Sequence, residues 1–106
     1  MSAAGAAPAR PAANRLILQA KVLERGAVRY TPAGLPALDL GLKHESALTE
    51  AGQLRKVSVE IRAVAIGEVA HRVAMLEIGS DSGFAGFITA QRNGRGVVFH
   101  VTEMAA

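Results

Sequence analysis

Between Leu16 and Val22 every second residue is apolar. The same alternation returns between Leu38 and Leu42. Successive side chains of a β-strand point to opposite faces, so a period of two is typical of a strand buried on one side. These two runs therefore predict two strands, each with an apolar and a polar face.

A cluster of turn-forming residues separates these two runs. Pro32 and Pro36 fix φ and lack an N–H group, and Gly34 accepts a positive φ. The sequence predicts a first strand at residues 15–24 and a second, antiparallel to it, at residues 36–46. The connection at residues 25–30 is predicted to be a loop or a strand edge.

A third strand is predicted at residues 55–63, where valines and an isoleucine alternate with polar residues. The polar segment before it, residues 47–54, contains a glycine and is predicted to be a hairpin loop. The period then changes, because apolar residues recur at spacings of three and one across residues 66–76. That spacing indicates one short helix.

The last third of the chain predicts a β-hairpin. Residues 79–83 are rich in glycine and serine and end the helical pattern. Strands are predicted at residues 84–91 and 97–103, on either side of Asn93 and Gly94. Asn-Gly supplies the positive φ values that hairpin turns require.

The predicted order is three strands, a helix and two strands. This is the order of the OB-fold, a five-stranded Greek-key barrel, so the predicted fold class is all-β. SH3-like barrels also have five strands but normally lack a helix between the third and the fourth. The stripe at residues 66–76 therefore favours the OB-fold.

Composition and charge narrow the class of protein without deciding it. The chain has 106 residues, a formal net charge of +3 and no cysteine, so disulfides and thiolate metal sites are excluded. No apolar run approaches the roughly 18 residues that span a membrane, and a cytoplasmic location is expected. Residues 1–13 are predicted to be a disordered tail, and residues 14–104 a single domain.

No group of residues indicates catalysis or metal binding. The three histidines lie on different predicted elements, and no HExxH spacing occurs. The glycines near the last hairpin are not followed by Gly-Lys-Ser or Gly-Lys-Thr, so they form no phosphate loop. We therefore expect a protein that is not an enzyme and has no cofactor.

Several motifs resemble primosomal replication protein N, the PriB family, over about residues 14–104. The family is itself similar to general single-stranded DNA-binding proteins. The motifs are residues 14–18 (NRLIL), 31–36 (TPAGLP), 43–46 (KHES), 50–52 (EAG), 86–88 (GFI) and 99–100 (FH).

This resemblance implies a homodimeric OB-fold that binds single-stranded DNA, with the dimer built largely through the first strand. It also implies a role in replication restart, in which the protein joins the PriA helicase to the loader DnaT. General single-strand-binding proteins carry a glycine-rich region and an acidic tip. The chain stops three residues after Glu103, which favours the primosomal role.

The sequence departs from the family at positions that bind DNA. Gln53 and Ser58 stand where members that bind DNA well have aromatic residues, and the last hairpin carries only Arg92 and Arg95 instead of several lysines. These departures remove stacking groups and keep part of the basic charge.

Single-strand binding requires cations along the phosphates and flat groups on the bases. The candidate cations are each either a phosphate contact or a solvated surface charge, and their grouping on the loops favours contact for the set. Tyr30 is either a stacking ring or a residue that packs the turn. Phe84 and Phe99 are assigned to the core, while Phe87, on the opposite face from Phe84, is either a ring that faces a partner or DNA or a ring without such a role. The candidate DNA-binding residues are Arg25, Arg29, Tyr30, Lys43, Arg55, Lys56, Arg92 and Arg95.

The polar face of the first strand is the candidate dimer interface. Ile17 is an apolar residue between Arg15 and Gln19, so it is either incidental or part of an interface. By analogy with the family, we expect the interface. Two functions stay open beside DNA binding in replication restart: an adaptor between proteins with weak DNA affinity, and a general protein that protects single-stranded DNA.

Overall fold

A computed structural model describes residues 12–105. Of the predicted tail, residues 1–11 lie outside the described residues. The elements are β1 (Leu16–Arg25), β2 (Arg29–Tyr30), β3 (Pro36–Glu50), β4 (Gln53–Ile66), α1 (Glu68–Val73), β5 (Asp81–Ala90) and β6 (Val97–Met104).

The five long strands close into a barrel, which confirms the predicted OB-fold. The hydrogen-bonded order is β1-β5-β6-β4-β3, and β3 returns to pair with β1. All neighbours are antiparallel except β4 and β6, which run parallel. The two-residue strand β2 adds to the outside of β3. The first part of β1, up to Lys21, pairs with β5, and the part from Lys21 to Arg25 pairs with β3, where β1 bulges between Val22 and Glu24.

The core is filled by the apolar faces that the alternation predicts. Leu38, Leu40 and Leu42 of β3 are fully buried, and so are Phe84 of β5 and Phe99 of β6. The core assignment of both phenylalanines is therefore confirmed. Small residues of β1 and β4 complete this core, because a narrow barrel leaves little room between facing strands.

The turn before β3 forms at the predicted residues. Gly34 has a φ of 86°, and its N–H donates to the Thr31 carbonyl at 2.8 Å. The Thr31 N–H donates to the Leu35 carbonyl, also at 2.8 Å. Proline and glycine thus place β2 beside the start of β3.

The predicted hairpin loop at residues 47–54 is wrong. Strands β3 and β4 pair continuously from Ala37 opposite Ile66 to Glu50 opposite Gln53. Only Ala51 and Gly52 form the turn, with φ values of 52° and 77°. The segment looks like a loop because its side chains are exposed, whereas its backbone hydrogen bonds are satisfied across the hairpin.

Helix α1 confirms the predicted helix in a shorter form. Its buried residues are Ala70 and Val73, which close one end of the barrel. Ile66 belongs to the end of β4, since Gly67, with a φ of 95°, turns the chain between strand and helix. Leu76 packs against the core from beyond the helix.

Strands β5 and β6 form the predicted hairpin, although β5 begins three residues earlier than expected, at Asp81. The register shifts between Ala85 and Gly86, where Thr102 of β6 has no partner. Gly86 lies so close to β6 that a Cβ atom there would be 1.8 Å from the His100 carbonyl oxygen. This bulge requires glycine.

Asn14 attaches the start of the described chain to β5. Its side-chain Nδ2 donates to the Ile88 carbonyl at 2.8 Å, and its Oδ1 accepts from the Ile88 N–H at 3.0 Å. The amide thus satisfies both backbone groups of one residue, as a neighbouring strand would.

Candidate nucleic-acid interface

A groove of about 620 Å³ runs along the outer surface of the barrel, across β3, β4 and β6. Ligands of OB-folds bind on this face of the second and third long strands and on the loops beside it. Its floor is apolar and its rims are polar. The lining residues are Arg29, Asp39, Val64, Ile66, Gln91, Arg92, Val98 and His100.

Strand register builds the floor of this groove. Val64 of β4 lies opposite Asp39 of β3 on one side and His100 of β6 on the other. These side chains share the outer face because residues paired across a sheet point the same way. Val64 is only 8% exposed, so it forms a solid base between the two polar rims.

Arg29 forms one rim and is held by a carboxylate. Its Nε donates to Asp39 Oδ2 at 3.3 Å and its Nη2 to Asp39 Oδ1 at 3.2 Å. Both side chains are about half exposed, so the pair contributes little to stability. A phosphate would compete with Asp39 for the same two donors.

Arg92 lies at the opposite rim, on the loop between β5 and β6, and Arg95 lies on the same loop beyond the groove. Asn93 shapes this loop, since its Oδ1 accepts from the Arg95 N–H at 2.8 Å. Gln91 Nε2 donates to the Val97 carbonyl at 3.3 Å. Within residues 12–105 neither guanidinium forms an ion pair, so both charges face solvent.

Tyr30 lies next to the groove on β2, beside Arg29. Its side chain is 66% exposed and belongs to no part of the core. Strand β2 pairs with the start of β3, which bears Asp39 a few residues on. Successive residues of a strand point to opposite faces, so Tyr30 does not share the groove face of Arg29 and does not line the groove.

Arg55 and Lys56 lie far from the groove, near the tip of the β3–β4 hairpin. Arg55 is nine residues from Val64 along β4, which is about 30 Å in an extended strand. Arg55 Nε forms an ion pair with Glu50 Oε1 at 3.3 Å. The structure therefore does not unite these two predicted contacts with Arg29 and Arg92.

Two other predicted cations are engaged elsewhere. Lys43 lies 3.9 Å from Glu45, on the part of β3 that pairs with β1. Arg25 is half-buried, and its Nη1 donates to the Ala74 carbonyl just after α1. Arg25 therefore anchors the helix to β1.

Sequence reasoning missed His100 as a groove residue and left Phe87 undecided. Their rings stack with centroids 4.8 Å apart and planes 11° from parallel. Alternation around the buried Phe99 points His100 outward, so a signal was present. The pairing with Phe87 depends on the register of the β5–β6 hairpin, and the sequence predicted the strands and the turn but not this register.

The candidate dimer residues share the outer face of β1. Ile17 is 69% exposed, and Arg15 forms an ion pair with Glu103 at 3.3 Å. The Gln19 carbonyl accepts from His44 Nδ1 of β3 at 2.6 Å, although β3 pairs with this edge of β1 only from Lys21 onward. This edge and the exposed isoleucine lie together.

Among residues 12–105, no three His, Cys, Asp or Glu side chains are grouped closely enough to hold a metal ion. Over the same residues, no helix is long and apolar enough to cross a membrane.

Known proteins resemble this chain in sequence and in structure. A family model described as another single-strand binding protein family matches residues 14–103. The replication restart protein PriB of Bordetella pertussis is 49% identical over 79 residues, which are 74% of this chain and 74% of that protein.

Solved structures agree with the sequence matches. PriB from Ralstonia solanacearum has a TM-score of 0.81 at 33% identity, covering 89% of this chain and 97% of that one. The wild-type single-stranded DNA-binding protein from Thermus aquaticus has a TM-score of 0.68 at 30% identity, covering 88% of this chain and 49% of that one. The chain belongs to the PriB family of replication restart proteins, within the wider single-strand-binding proteins.

Proposed function

We propose that this protein binds single-stranded DNA as a non-enzymatic accessory factor of replication restart, in the cytoplasm. The family supports a role in replication restart, because the relatives are named for that process. The groove supports single-stranded DNA as the ligand, because it combines an apolar floor with arginines on both rims. This arrangement of Arg29 and Arg92 around Val64 is the observation that carries the proposal.

The mechanism follows from the two kinds of surface in the groove. The arginines neutralise phosphates, and the counterions released from DNA supply a salt-dependent part of the affinity. The apolar floor contacts the bases, which supplies a part of the affinity that salt affects little. Arg95 extends the basic rim beyond the groove.

A second protein surface would connect DNA to the rest of the restart machinery. We place the PriA helicase and DnaT as partners, as the family resemblance implies. We also propose a homodimer through the outer face and free edge of β1, around Ile17. The dimer would place two grooves on one particle, and two linked sites bind one strand more tightly than either site alone.

One observation favours a second candidate function, an adaptor with weak DNA affinity. Arg29, Lys43 and Arg55 are each paired with a carboxylate of their own chain. A cation that is already paired attracts a phosphate less strongly. Under this function, protein contacts would dominate and DNA would bind only at low salt.

Fluorescence anisotropy with a labelled oligothymidine at several salt concentrations tests the first function. Three or four phosphate contacts predict a log–log salt slope of about −2 to −3, at roughly −0.7 per contact. Arg92→Ala removes one rim charge, so we expect a weaker affinity and a slope reduced in magnitude by about 0.7.

Arg72→Ala is the matched control, because Arg72 lies on α1 and donates to the Met104 carbonyl instead of lining the groove. It should leave the slope unchanged. Absence of binding by the unmodified protein at low salt would reject DNA binding and leave the adaptor.

A further inference from the structure

Phe87 and His100 form a stacked aromatic pair on the outside of the barrel. Phe87 lies directly opposite His100 across β5 and β6, and the two ring planes are nearly parallel. Both side chains point away from the core, which Phe84 and Phe99 fill from the other face of the same strands. The pair therefore has no role in the interior of the barrel.

The register of the β5–β6 hairpin produces this arrangement. Phe99 and Val101 face the core, so His100 between them points outward. Pairing is unbroken from the hairpin loop to Gly86, which places Phe87 opposite His100. The bulge at Thr102 lies beyond this pair and does not set its register.

Neither ring has a role in core packing or in hydrogen bonding among the described residues. Phe87 is 38% exposed, which is high for a phenylalanine on a paired strand. Within residues 12–105 the His100 nitrogens form no hydrogen bond, whereas His44 uses both of its own. Stacked rings that are partly exposed and have no role in the core or in hydrogen bonding suit a ligand with a flat apolar face.

The position of His100 decides which ligand that is. Phe87 covers the imidazole face on the side of β5, so the other face is directed toward β4 and the groove floor at Val64. Arg29 and Arg92 line the same groove, where they can hold phosphates. A flat ring connected to phosphates is a nucleotide of the single strand.

We propose that a nucleobase stacks on the groove-side face of His100, above Val64, with Phe87 supporting the imidazole from behind. This inference rests on the proposed function, which it deepens by naming a base-binding subsite. Base–aromatic stacking tolerates any sequence, because every base has a π-face. The pair thus provides aromatic stacking that Gln53 and Ser58, which replace aromatic residues of the family, cannot provide.

The test compares His100→Ala with the unmodified protein on two oligothymidines of equal length, one intact and one with abasic sites throughout. On the intact strand we expect the affinity to fall at least about five-fold, the lower end of the effect of truncating a stacking ring. The log–log salt slope should stay unchanged, because no phosphate contact is lost. On the abasic strand the two proteins should bind equally.

Two further variants make the result specific. His100→Phe keeps a flat ring and should restore most of the affinity for the intact strand. His71→Ala removes an exposed histidine from α1 and should change nothing. Phe87→Leu, which keeps an apolar side chain on the sheet, should weaken binding to the intact strand less than His100→Ala does.

Other outcomes overturn the subsite. Equal binding of His100→Ala and the unmodified protein to the intact strand would exclude stacking there, and an equal loss on both strands would mean a phosphate contact. An altered particle mass in light scattering with unaltered DNA binding would assign the pair to a protein interface. If the unmodified protein bound neither strand, the proposed function itself would fail.

Discussion

At the scale of single residues, Gly86 shows how one backbone contact lets two strands approach closely. The strand β6 carbonyl of His100 occupies the space that a side chain at Gly86 would need. Hydrogen alone fits there, so the close pairing of β5 and β6 beside the bulge at Thr102 depends on this glycine.

Gly86→Ala should lower the free energy of unfolding by about 3 kcal/mol or more, since the new methyl group meets a backbone atom that cannot move aside. Chemical denaturation measures this change. Gly83→Ala is the matched control on the same strand, because its nearest neighbours would lie at 3.4 Å, an ordinary contact. A loss of stability as small as that of the control would show that β6 can shift.

Residue roles in the core could be predicted from the sequence, while the pairing of charges could not. Alternation places Leu40 and Phe99 inside whatever the loop lengths are, because burial follows the face of the strand. The ion pair of Arg29 with Asp39 depends on β2 folding back onto β3, which no local pattern encodes. For the same reason, sequence reasoning treated Arg25 as a free cation.

At the scale of elements, the β3–β4 hairpin is the largest difference between prediction and structure. Both strands extend well past the barrel, to a turn of two residues. Ala51 adopts a φ of 52°, where a residue with a Cβ atom is strained. The strain is tolerated because continuous pairing on both sides holds the turn.

Ala51→Asn should relieve this strain, since Asn-Gly is a favoured pair for hairpin turns with positive φ at both positions. We expect the midpoint of thermal unfolding to rise, with a gain of about 0.5–1 kcal/mol in the free energy of unfolding. Ala47→Asn serves as the control, because Ala47 is exposed in the extended part of the same hairpin. An equal response of both variants would refute the role of the turn.

Strand periodicity predicted which elements exist but not where the hairpin ends. A pattern of burial marks only those parts of a strand that contact the core, and residues 47–50 contact solvent on both faces. Their hydrogen bonds across the hairpin leave no trace in hydrophobicity. The predicted helix was too long for a related reason. Ile66 and Leu76 lie outside the helix but continue its apolar spacing.

At the scale of the whole molecule, β1 leaves one of its edges open. Its first half pairs with β5 on one side, and β3 covers only Lys21 to Arg25 on the other. An open edge can pair with another strand, and the exposed Ile17 lies beside it. A second copy of the chain would satisfy both features at once.

Ile17→Glu should dissociate the proposed dimer, because it buries an unpaired charge at the interface. We expect the dimer dissociation constant to rise at least about tenfold, measured by sedimentation or light scattering over a range of concentrations. Ile78→Glu is the control, since Ile78 is exposed to a similar extent beyond α1. A monomeric unmodified protein would contradict the dimer, and an unaffected Ile17→Glu dimer would move its interface elsewhere.

The parallel pairing of β4 with β6 also governs when the protein can fold during its synthesis. The β3–β4 hairpin uses only neighbouring residues, so it can form as soon as it leaves the ribosome. The barrel cannot, because β6 joins β4 to β5 and follows both of them in the chain. Between the emergence of β3 and that of Met104, the leucines of β3 face an open sheet, and the nascent chain is exposed to aggregation during that interval.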